Sequence, residues 1–179
     1  KMALPAHADE PGLARRLDRF KIETPSWGYA DTGTRFGKFL QDGAASTIEE
    51  KLADAAQVHQ YTGCCPSVAV HVLWDFPRGC DPQVVARQAQ SLGLRIGAIN
   101  PNVFQDQCYK WGSVTNRDER IRRRAIEHLL ASVDLGRQVG SKVLSLWFAD
   151  GTNYPGQANI RERKHWFQEA LRQVHDALP

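Results

Sequence analysis

Short apolar runs alternate with segments of helical periodicity four times along the chain. The apolar runs predict strands at residues 21–24, 68–73, 94–99 and 142–147. After each run, apolar residues recur at intervals of three or four, which is the period of an amphipathic helix. A strand followed by a helix, repeated in this way, is typical of parallel βα units with right-handed crossovers. The pattern therefore predicts an α/β fold built on a parallel sheet.

Capping residues mark the starts of the predicted helices. Three of the helices begin with a capping side chain followed three positions later by an acid. These pairs are Ser46 with Glu49, Asn116 with Glu119, and Asn159 with Glu162. The remaining helix begins with Asp81 and a proline at its first position. An additional helix is predicted at about residues 11–20, before the first strand.

The connections between these elements are of two kinds. Joints from helix to strand are short and contain glycine, whereas joints from strand to helix are long and rich in aromatic and polar residues. Ligands of parallel α/β folds lie beyond the carboxyl ends of the strands, so the long joints indicate the side of the sheet that binds a ligand. Four βα units are half of a closed eight-stranded barrel, which takes about 250 residues. The 179 residues thus predict either a small open doubly wound domain or the N-terminal half of a larger fold.

Aromatic or imidazole side chains lie at or just after the carboxyl end of every predicted strand. They are Trp27, His71 with Trp74, Phe104, and Trp147. Taken singly, each ring is explained by core packing. Together, flat apolar rings beside a few polar groups are typical of a site that holds the C–H face of a sugar. Because the carboxyl ends of parallel strands meet at one edge, we expect these rings to surround one site.

Composition and charge exclude several other classes of protein. Lys and Arg exceed Asp and Glu by 23 to 20, and this net charge of +3 is too small to indicate nucleic acid binding. No apolar run approaches the length of a membrane span, and we expect a cytoplasmic protein. The four cysteines lack the spacing of a zinc site and are expected to be ordinary thiols.

Four stretches of the chain resemble one enzyme family. They are "HVLWD", "INPNVFQDQ", "GSK" and "LWFADGTNYPGQ". The sequence from about Lys21 onward is similar to the bacterial L-rhamnose isomerases, a group of broad-specificity aldose–ketose isomerases with the xylose-isomerase-like (β/α)8 barrel. The resemblance implies that residues 1–179 are the N-terminal half of a single TIM barrel domain, preceded by the extra helix.

The resemblance also implies roles for individual residues. His71 would hydrogen-bond a sugar oxygen and assist ring opening, and the other matched residues would shape the substrate pocket. These pocket residues are Trp27, Trp74, Phe104, Trp147, and Phe36, which would point toward a neighbouring subunit.

Cofactor and partners follow from the same resemblance. Two divalent ions, usually Mn²⁺, would polarise the sugar oxygens. Their ligands would come from later strands, so this chain would hold no metal ligand and would be inactive alone. Its partners would be a sugar, its own C-terminal half and other subunits of a homo-oligomer, but neither nucleic acid nor a membrane.

Two other interpretations stay open from the residues. A half-barrel could be a non-catalytic sugar-binding or assembly module that pairs with a partner to cover its sheet edges. The chain could also come from a different metal-dependent barrel enzyme, an epimerase or a phosphodiester-cleaving nuclease. A nuclease would need a basic groove and metal-ligating histidines at the strand ends, which His71 alone does not supply.

Overall fold

The computed structural model describes residues 10–31, 33–34, 37–151 and 158–179. Its α-helices are α1 Glu10–Asp18, α2 Ile48–Thr62, α3 Val72–Asp75, α4 Pro82–Ser91, α5 Glu119–Val139 and α6 Ile160–Asp176. Its strands are β1 Glu23–Pro25, β2 Gly33–Thr34, β3 Gly37–Lys38, β4 Ser67–His71 and β5 Arg95–Asn100. Two short 3-10 helices span Ser26–Gly28 and Gln107–Tyr109.

The main sheet is parallel and has the order β1-β4-β5. Thr24 pairs with Val68, and Val68 pairs in turn with Ile96. The strands β1, β4 and β5 are the first three strands predicted from the apolar runs, and they lie side by side in chain order. β2 and β3 form a separate antiparallel pair. The predicted α/β fold with a parallel sheet is confirmed.

The fourth predicted strand, at residues 142–147, forms only a single parallel bridge. Leu144 pairs with Ile99, through hydrogen bonds from Ile99 N to Val143 O at 2.9 Å and from Ser145 N to Ile99 O at 2.8 Å. The expectation of a regular strand was therefore wrong, although the segment lies where that strand was expected. An apolar run predicts burial, but a strand also needs several consecutive ladder bonds to a neighbour.

The helix starts agree with the predicted caps to within two residues. α2 is capped by Thr47, which forms a capping box with Glu50, one residue after the predicted pair. α5 is capped by Asp118 instead of Asn116. Asp81 and Asn159 cap α4 and α6 as predicted. α5 ends at Val139 and is capped by Gly140, whose φ of 73° is the left-handed conformation that glycine adopts without strain.

Two groups of buried apolar residues hold the strands in place. The larger one packs α2, α4 and the second half of α5 against β4 and β5, around Leu52, Val70 and Ile99. The smaller one packs α5 against α6 and against the loop after β5, around Val103, Val114 and Leu129. The larger group holds β4 and β5, and the smaller group holds the loop that follows β5. Together they define the positions of the strand ends.

Candidate functional site

The carboxyl ends of the strands place the predicted aromatic residues on one edge of the sheet. Trp27 lies in the 3-10 helix that follows β1, and Trp74 lies in α3, which follows β4. Phe104 follows β5, and Trp147 follows the bridge at Leu144. The strands are parallel, so these four side chains emerge from the same edge.

Five rings form a continuous row at this edge. The imidazole of His71 stacks on Trp74, with ring centroids 3.5 Å apart and planes inclined by 13°. Trp27 contacts both of these rings edge-on, at 6.3 Å from each. Phe104 lies edge-on to His71 at 6.1 Å and to Trp147 at 4.7 Å. The structure therefore brings Trp27, His71, Trp74, Phe104 and Trp147 together.

The row is buried at its centre and open at its sides. His71 is only 3% exposed, whereas Trp74 is 42% exposed and Trp147 is 61% exposed. Large exposed aromatic faces beside a buried polar group are typical of a surface that receives a ligand. Phe36, which was also predicted to belong to the pocket, lies outside the described residues.

His71 is a neutral histidine whose ring nitrogens form no hydrogen bond with the described residues. Burial lowers the pKa of its imidazole to about 4, although the carboxylate of Asp75 opposes this shift, while His128 and Lys51 add to it. Neither Nδ1 nor Nε2 has a hydrogen-bond partner in the described part of the chain. A buried polar atom without a partner is rare and costs free energy unless a ligand or water satisfies it.

Asp75 connects three elements around His71. Its carboxylate is fully buried and forms an ion pair with Lys51 of α2 at 2.7 Å. It also accepts hydrogen bonds from the backbone N–H of His71 at 2.7 Å and from Oγ of Ser26. The backbone beside Trp27 and the end of β4 are therefore held by one carboxylate. Lys51 was not predicted, although its place on the apolar face of α2, between Ile48 and Leu52, is an unusual position for a lysine.

A second polar network holds the loop that carries Phe104. Oδ1 of Asn102 accepts hydrogen bonds from the backbone N–H groups of Phe104 and Gln105. The backbone N–H of Asn102 donates to Nε2 of His128 at 3.0 Å. His128 is on α5, and burial lowers its pKa, so the neutral form that can accept this bond is favoured. Sequence patterns did not single out His128, which lies beside the buried Ala125 and Leu129 on the helix.

Asp150 follows the fourth predicted strand, residues 142–147, and links it to the loop after β5. Its carboxylate accepts hydrogen bonds from the backbone N–H and the hydroxyl of both Ser113 and Thr115, at 2.7–2.9 Å. The carboxylate is therefore engaged within the protein. Asp150 has a structural role here, and it holds the chain just after Trp147 against the loop that follows Phe104.

The described residues do not by themselves make a site for a divalent metal ion. Within residues 10–31, 33–34, 37–151 and 158–179, no group of three His, Cys, Asp or Glu side chains is arranged to hold an ion. The two carboxylates near the rings, Asp75 and Asp150, already bind Lys51 and the Ser113–Thr115 loop. Hard divalent ions need several converging oxygen or imidazole ligands, which this edge of the sheet lacks.

Four arginines near the start of α5 form a cluster, and each contacts a neighbouring group. They are Arg120, Arg122, Arg123 and Arg124. Arg120 binds Asp118, Arg123 binds Glu119 and Arg124 binds Asp106. Arg122 lies over the ring of Trp166 at 4.3 Å. These cations make contacts within the chain, so the cluster is not a free phosphate-binding patch.

No helix in the described part of the chain is long and apolar enough to cross a membrane.

The sequence is similar to sugar isomerases over nearly its whole length, although no family model matches it. It is 36% identical to a probable sugar isomerase of Mesorhizobium japonicum over 172 residues, covering 93% of this chain and 39% of that protein. A probable sugar isomerase of Rhizobium meliloti is 35% identical over 176 residues, covering 96% of this chain and 40% of that protein. The xylose isomerase of Thermus thermophilus is 27% identical over 144 residues, covering 75% of this chain and 37% of that protein. The chain therefore spans about two fifths of the length of these curated relatives.

Solved structures with the same fold include sugar epimerases and a nuclease. An AP endonuclease of family 2 from Brucella melitensis superimposes with a TM-score of 0.57 at 12% identity, covering 88% of this chain and 50% of that one. An L-ribulose 3-epimerase superimposes with a TM-score of 0.61 at 17% identity, covering 88% of this chain and 46% of that one. The D-allulose 3-epimerase of Methylomonas sp., in complex with D-allulose, gives a TM-score of 0.58 at 17% identity, covering 89% of this chain and 47% of that one. At this identity the likeness concerns the fold alone. The parallel sheet and its helices thus have the fold of a partial TIM barrel, and the sequence matches support a sugar-isomerase-like family.

Proposed function

We propose that this chain forms the aromatic and histidine side of the active site of a metal-dependent aldose–ketose isomerase that converts L-rhamnose to L-rhamnulose. The chain would be the N-terminal half of a single barrel domain, and we call this half together with the rest of the barrel the complete enzyme. The proposal rests on the similarity to probable sugar isomerases and on the four stretches that resemble L-rhamnose isomerases.

One structural observation supports this function more than any other. A buried imidazole with two unpartnered nitrogens lies in the middle of a row of aromatic rings at the carboxyl end of the sheet. The rings of Trp27, Trp74, Phe104 and Trp147 offer apolar faces to the C–H groups of a sugar. The imidazole offers the polar group that orients the sugar, and hydrogen bonds to a sugar oxygen would satisfy its nitrogens.

The neutral state of His71 suits a role in ring opening. A neutral imidazole has one N–H donor and one lone pair, so it can take a proton from one oxygen and return a proton to another. In the proposed reaction, His71 accepts the proton of the anomeric hydroxyl and donates a proton to the ring oxygen. Its pKa of about 4 keeps it in this form at neutral pH.

The metal ions of the proposed site would be held by residues from outside this sequence. Divalent ions, with Mn²⁺ as our proposal, would polarise the sugar carbonyl and hydroxyl in the complete enzyme, on ligands that the described residues do not provide. Phe36 would reach the pocket of a neighbouring subunit in a homo-oligomer. The four cysteines are free thiols, which is typical of a reducing compartment, and we propose a cytoplasmic location.

The proposal is tested by steady-state kinetics of the complete enzyme with L-rhamnose, D-xylose, L-ribulose and D-allulose. We expect His71→Ala to lower kcat by about 10²–10⁴-fold while the bound metal stays unchanged, because His71 contacts the sugar and not the ion. Trp147→Ala should chiefly raise KM, by about tenfold, through lost apolar contact. Trp111→Ala is the matched control, because Trp111 is an exposed tryptophan outside the row.

Different outcomes separate this function from its rivals. Loss of metal in His71→Ala would show that the imidazole is a metal ligand. Sugar binding without turnover in the complete enzyme would favour the non-catalytic binding module. If both His71→Ala and Trp147→Ala behave like Trp111→Ala, the row of rings is only a packing feature and the proposed site is wrong.

A further inference from the structure

Gln105 lies at the rim of the row of rings, and its amide orientation is fixed by its neighbours. Its Oε1 lies 3.1 Å from Nε1 of Trp74 and 2.9 Å from Nδ2 of Asn102. The indole N–H can only donate, so the atom that faces it must be an acceptor. The side-chain oxygen of Gln105 therefore faces Trp74.

The second neighbour gives the same orientation independently. Oδ1 of Asn102 accepts from two backbone N–H groups, those of Phe104 and Gln105, at 3.3 Å and 3.0 Å. Since these groups are donors, the other side-chain atom of Asn102 must be its amide nitrogen, which donates to Gln105. Both groups that contact this atom of Gln105 are donors that cannot accept a hydrogen bond. The atom is therefore the amide oxygen, and the flipped assignment of the Gln105 amide is excluded.

The consequence is a free pair of N–H donors beside Trp74. Nε2 of Gln105 is bonded to the same carbon as Oε1, so it lies close to the oxygen that accepts from the Trp74 indole. No acceptor in the described part of the chain binds this nitrogen, and the Gln105 side chain is exposed. A preoriented donor at the edge of an exposed aromatic face suits a ligand whose apolar face lies on the ring and whose hydroxyl group lies beside it.

We infer that the amide nitrogen of Gln105 donates a hydrogen bond to a hydroxyl oxygen of the sugar and thereby determines which sugars bind. This inference rests on the proposed function. Gln105 binds the substrate in this assignment and takes no part in proton transfer. Its role is distinct from that of His71, which lies on the buried side of Trp74, and the two contacts would hold the sugar at separate oxygens.

Gln105→Glu is the sharpest test of the donor. A carboxylate keeps an oxygen that can accept from Trp74 and Asn102, but it replaces the two N–H donors with a second acceptor. We expect Kd and KM of the complete enzyme for L-rhamnose to rise by about tenfold or more, with kcat changed by less than about threefold. Gln107→Glu is the matched control, because it adds the same charge to an exposed glutamine of the same loop.

A panel of monodeoxy analogues of L-rhamnose identifies the hydroxyl partner. The wild-type enzyme should bind one analogue at least about fivefold more weakly than L-rhamnose, and Gln105→Glu should no longer distinguish that analogue from L-rhamnose. Binding is measured by calorimetry and turnover by ketose formation, so that the two properties are followed separately.

The outcomes distinguish this inference from the proposed function. If the wild-type enzyme isomerises sugars and Gln105→Glu matches Gln107→Glu in Kd and KM, the donor assignment is wrong and the proposed function stands. If the wild-type enzyme binds sugars in a Gln105-dependent manner but never isomerises them, the proposed function is wrong and the donor assignment stands. If it binds no sugar, both are overturned.

Discussion

At the residue scale, the decisive feature of His71 is that its imidazole, which can be neutral or protonated, is buried and stacked on a tryptophan. The imidazole is 3% exposed and lies 3.5 Å from the ring of Trp74, measured between centroids. Burial destabilises the protonated imidazole by more than the Asp75 carboxylate stabilises it. The effect of Asp75 is reduced because Lys51 neutralises much of its charge. The result is a neutral imidazole whose two nitrogens are available to a ligand.

This neutral state predicts a loss of stability in mild acid. The pKa of His71 is about 4 in the folded protein against a usual value of 6.5, so the unfolded chain binds the proton first. The contribution of His71 to the free energy of unfolding should therefore be constant above about pH 6.5 and fall as the pH decreases from there to about 4, by roughly 3 kcal/mol. Urea unfolding of the complete enzyme at several pH values measures this change.

His71→Phe is the control for the acid effect. Phenylalanine keeps an aromatic ring against Trp74 and cannot be protonated, so most of the slope below about pH 6.5 should disappear. A smaller slope of the same sign should remain, because burial also lowers the pKa of His128. Parallel curves for the wild type and His71→Phe would show that His71 is already solvated in the folded protein.

At the element scale, single buried groups connect the ends of different strands and helices. Asp75 joins the 3-10 helix after β1, the end of β4 and the first turn of α2. Asp150 joins the end of the fourth segment to the loop after β5 through four hydrogen bonds. Each carboxylate thus fixes two of the loops that carry the row of rings, which is how rigid elements position a site on loops.

The Lys51–Asp75 pair predicts a strong coupling between α2 and the strand ends. Lys51→Met leaves a buried carboxylate without its cation, so we expect the free energy of unfolding to fall by about 3–5 kcal/mol. The double variant Lys51→Met with Asp75→Asn should lose less than the sum of the two single variants. Chemical denaturation of all four proteins measures the coupling.

An exposed pair provides the comparison for this cycle. Arg123 and Glu119 form an i,i+4 ion pair on the surface of α5, and Arg123→Ala should cost no more than about 0.5 kcal/mol. Equal losses for Lys51→Met and Arg123→Ala would mean that the charge of Asp75 is solvated and does not hold the strand ends.

At the scale of the whole molecule, the sheet has an edge strand on each side. Among the described residues, no strand continues the parallel sheet beyond β1, and only the bridge at Leu144 lies beyond β5. Apolar side chains are also exposed, with Val143 of the bridged segment at 56% and Leu178, which follows α6, at 46%. Unpaired edges with apolar neighbours favour association with another polypeptide.

We therefore expect the isolated 20.1 kDa chain to associate. Sedimentation velocity should show a dimer or larger species, and co-expression with the rest of the barrel should replace this species by the complete enzyme. A stable monomer that stays monodisperse as its concentration rises would contradict this expectation and would indicate that the edges are covered within the chain.

The sequence by itself determined the long helices and the order of the three strands in the parallel sheet. Apolar periodicity and capping residues predicted α4 from Asp81 and α6 from Asn159, and the apolar runs predicted β1, β4 and β5 as parallel neighbours. These features are local, because a cap satisfies the first N–H groups of its own helix and an apolar run is a property of its own strand. The rings at the strand ends were predicted for the same reason, since parallel strands end on one side.

Tertiary structure decided which side chains meet and in what state. The ion pair between Lys51 and Asp75 joins residues 24 positions apart, and the bond from Asn102 to His128 joins residues 26 positions apart. Neither contact follows from a local pattern, because it depends on how α2 and α5 dock on the sheet. The same docking turned residues 142–147 into a single bridge and removed water from His71. The charge of a buried histidine depends on its surroundings in space, and these are set only when the elements pack together.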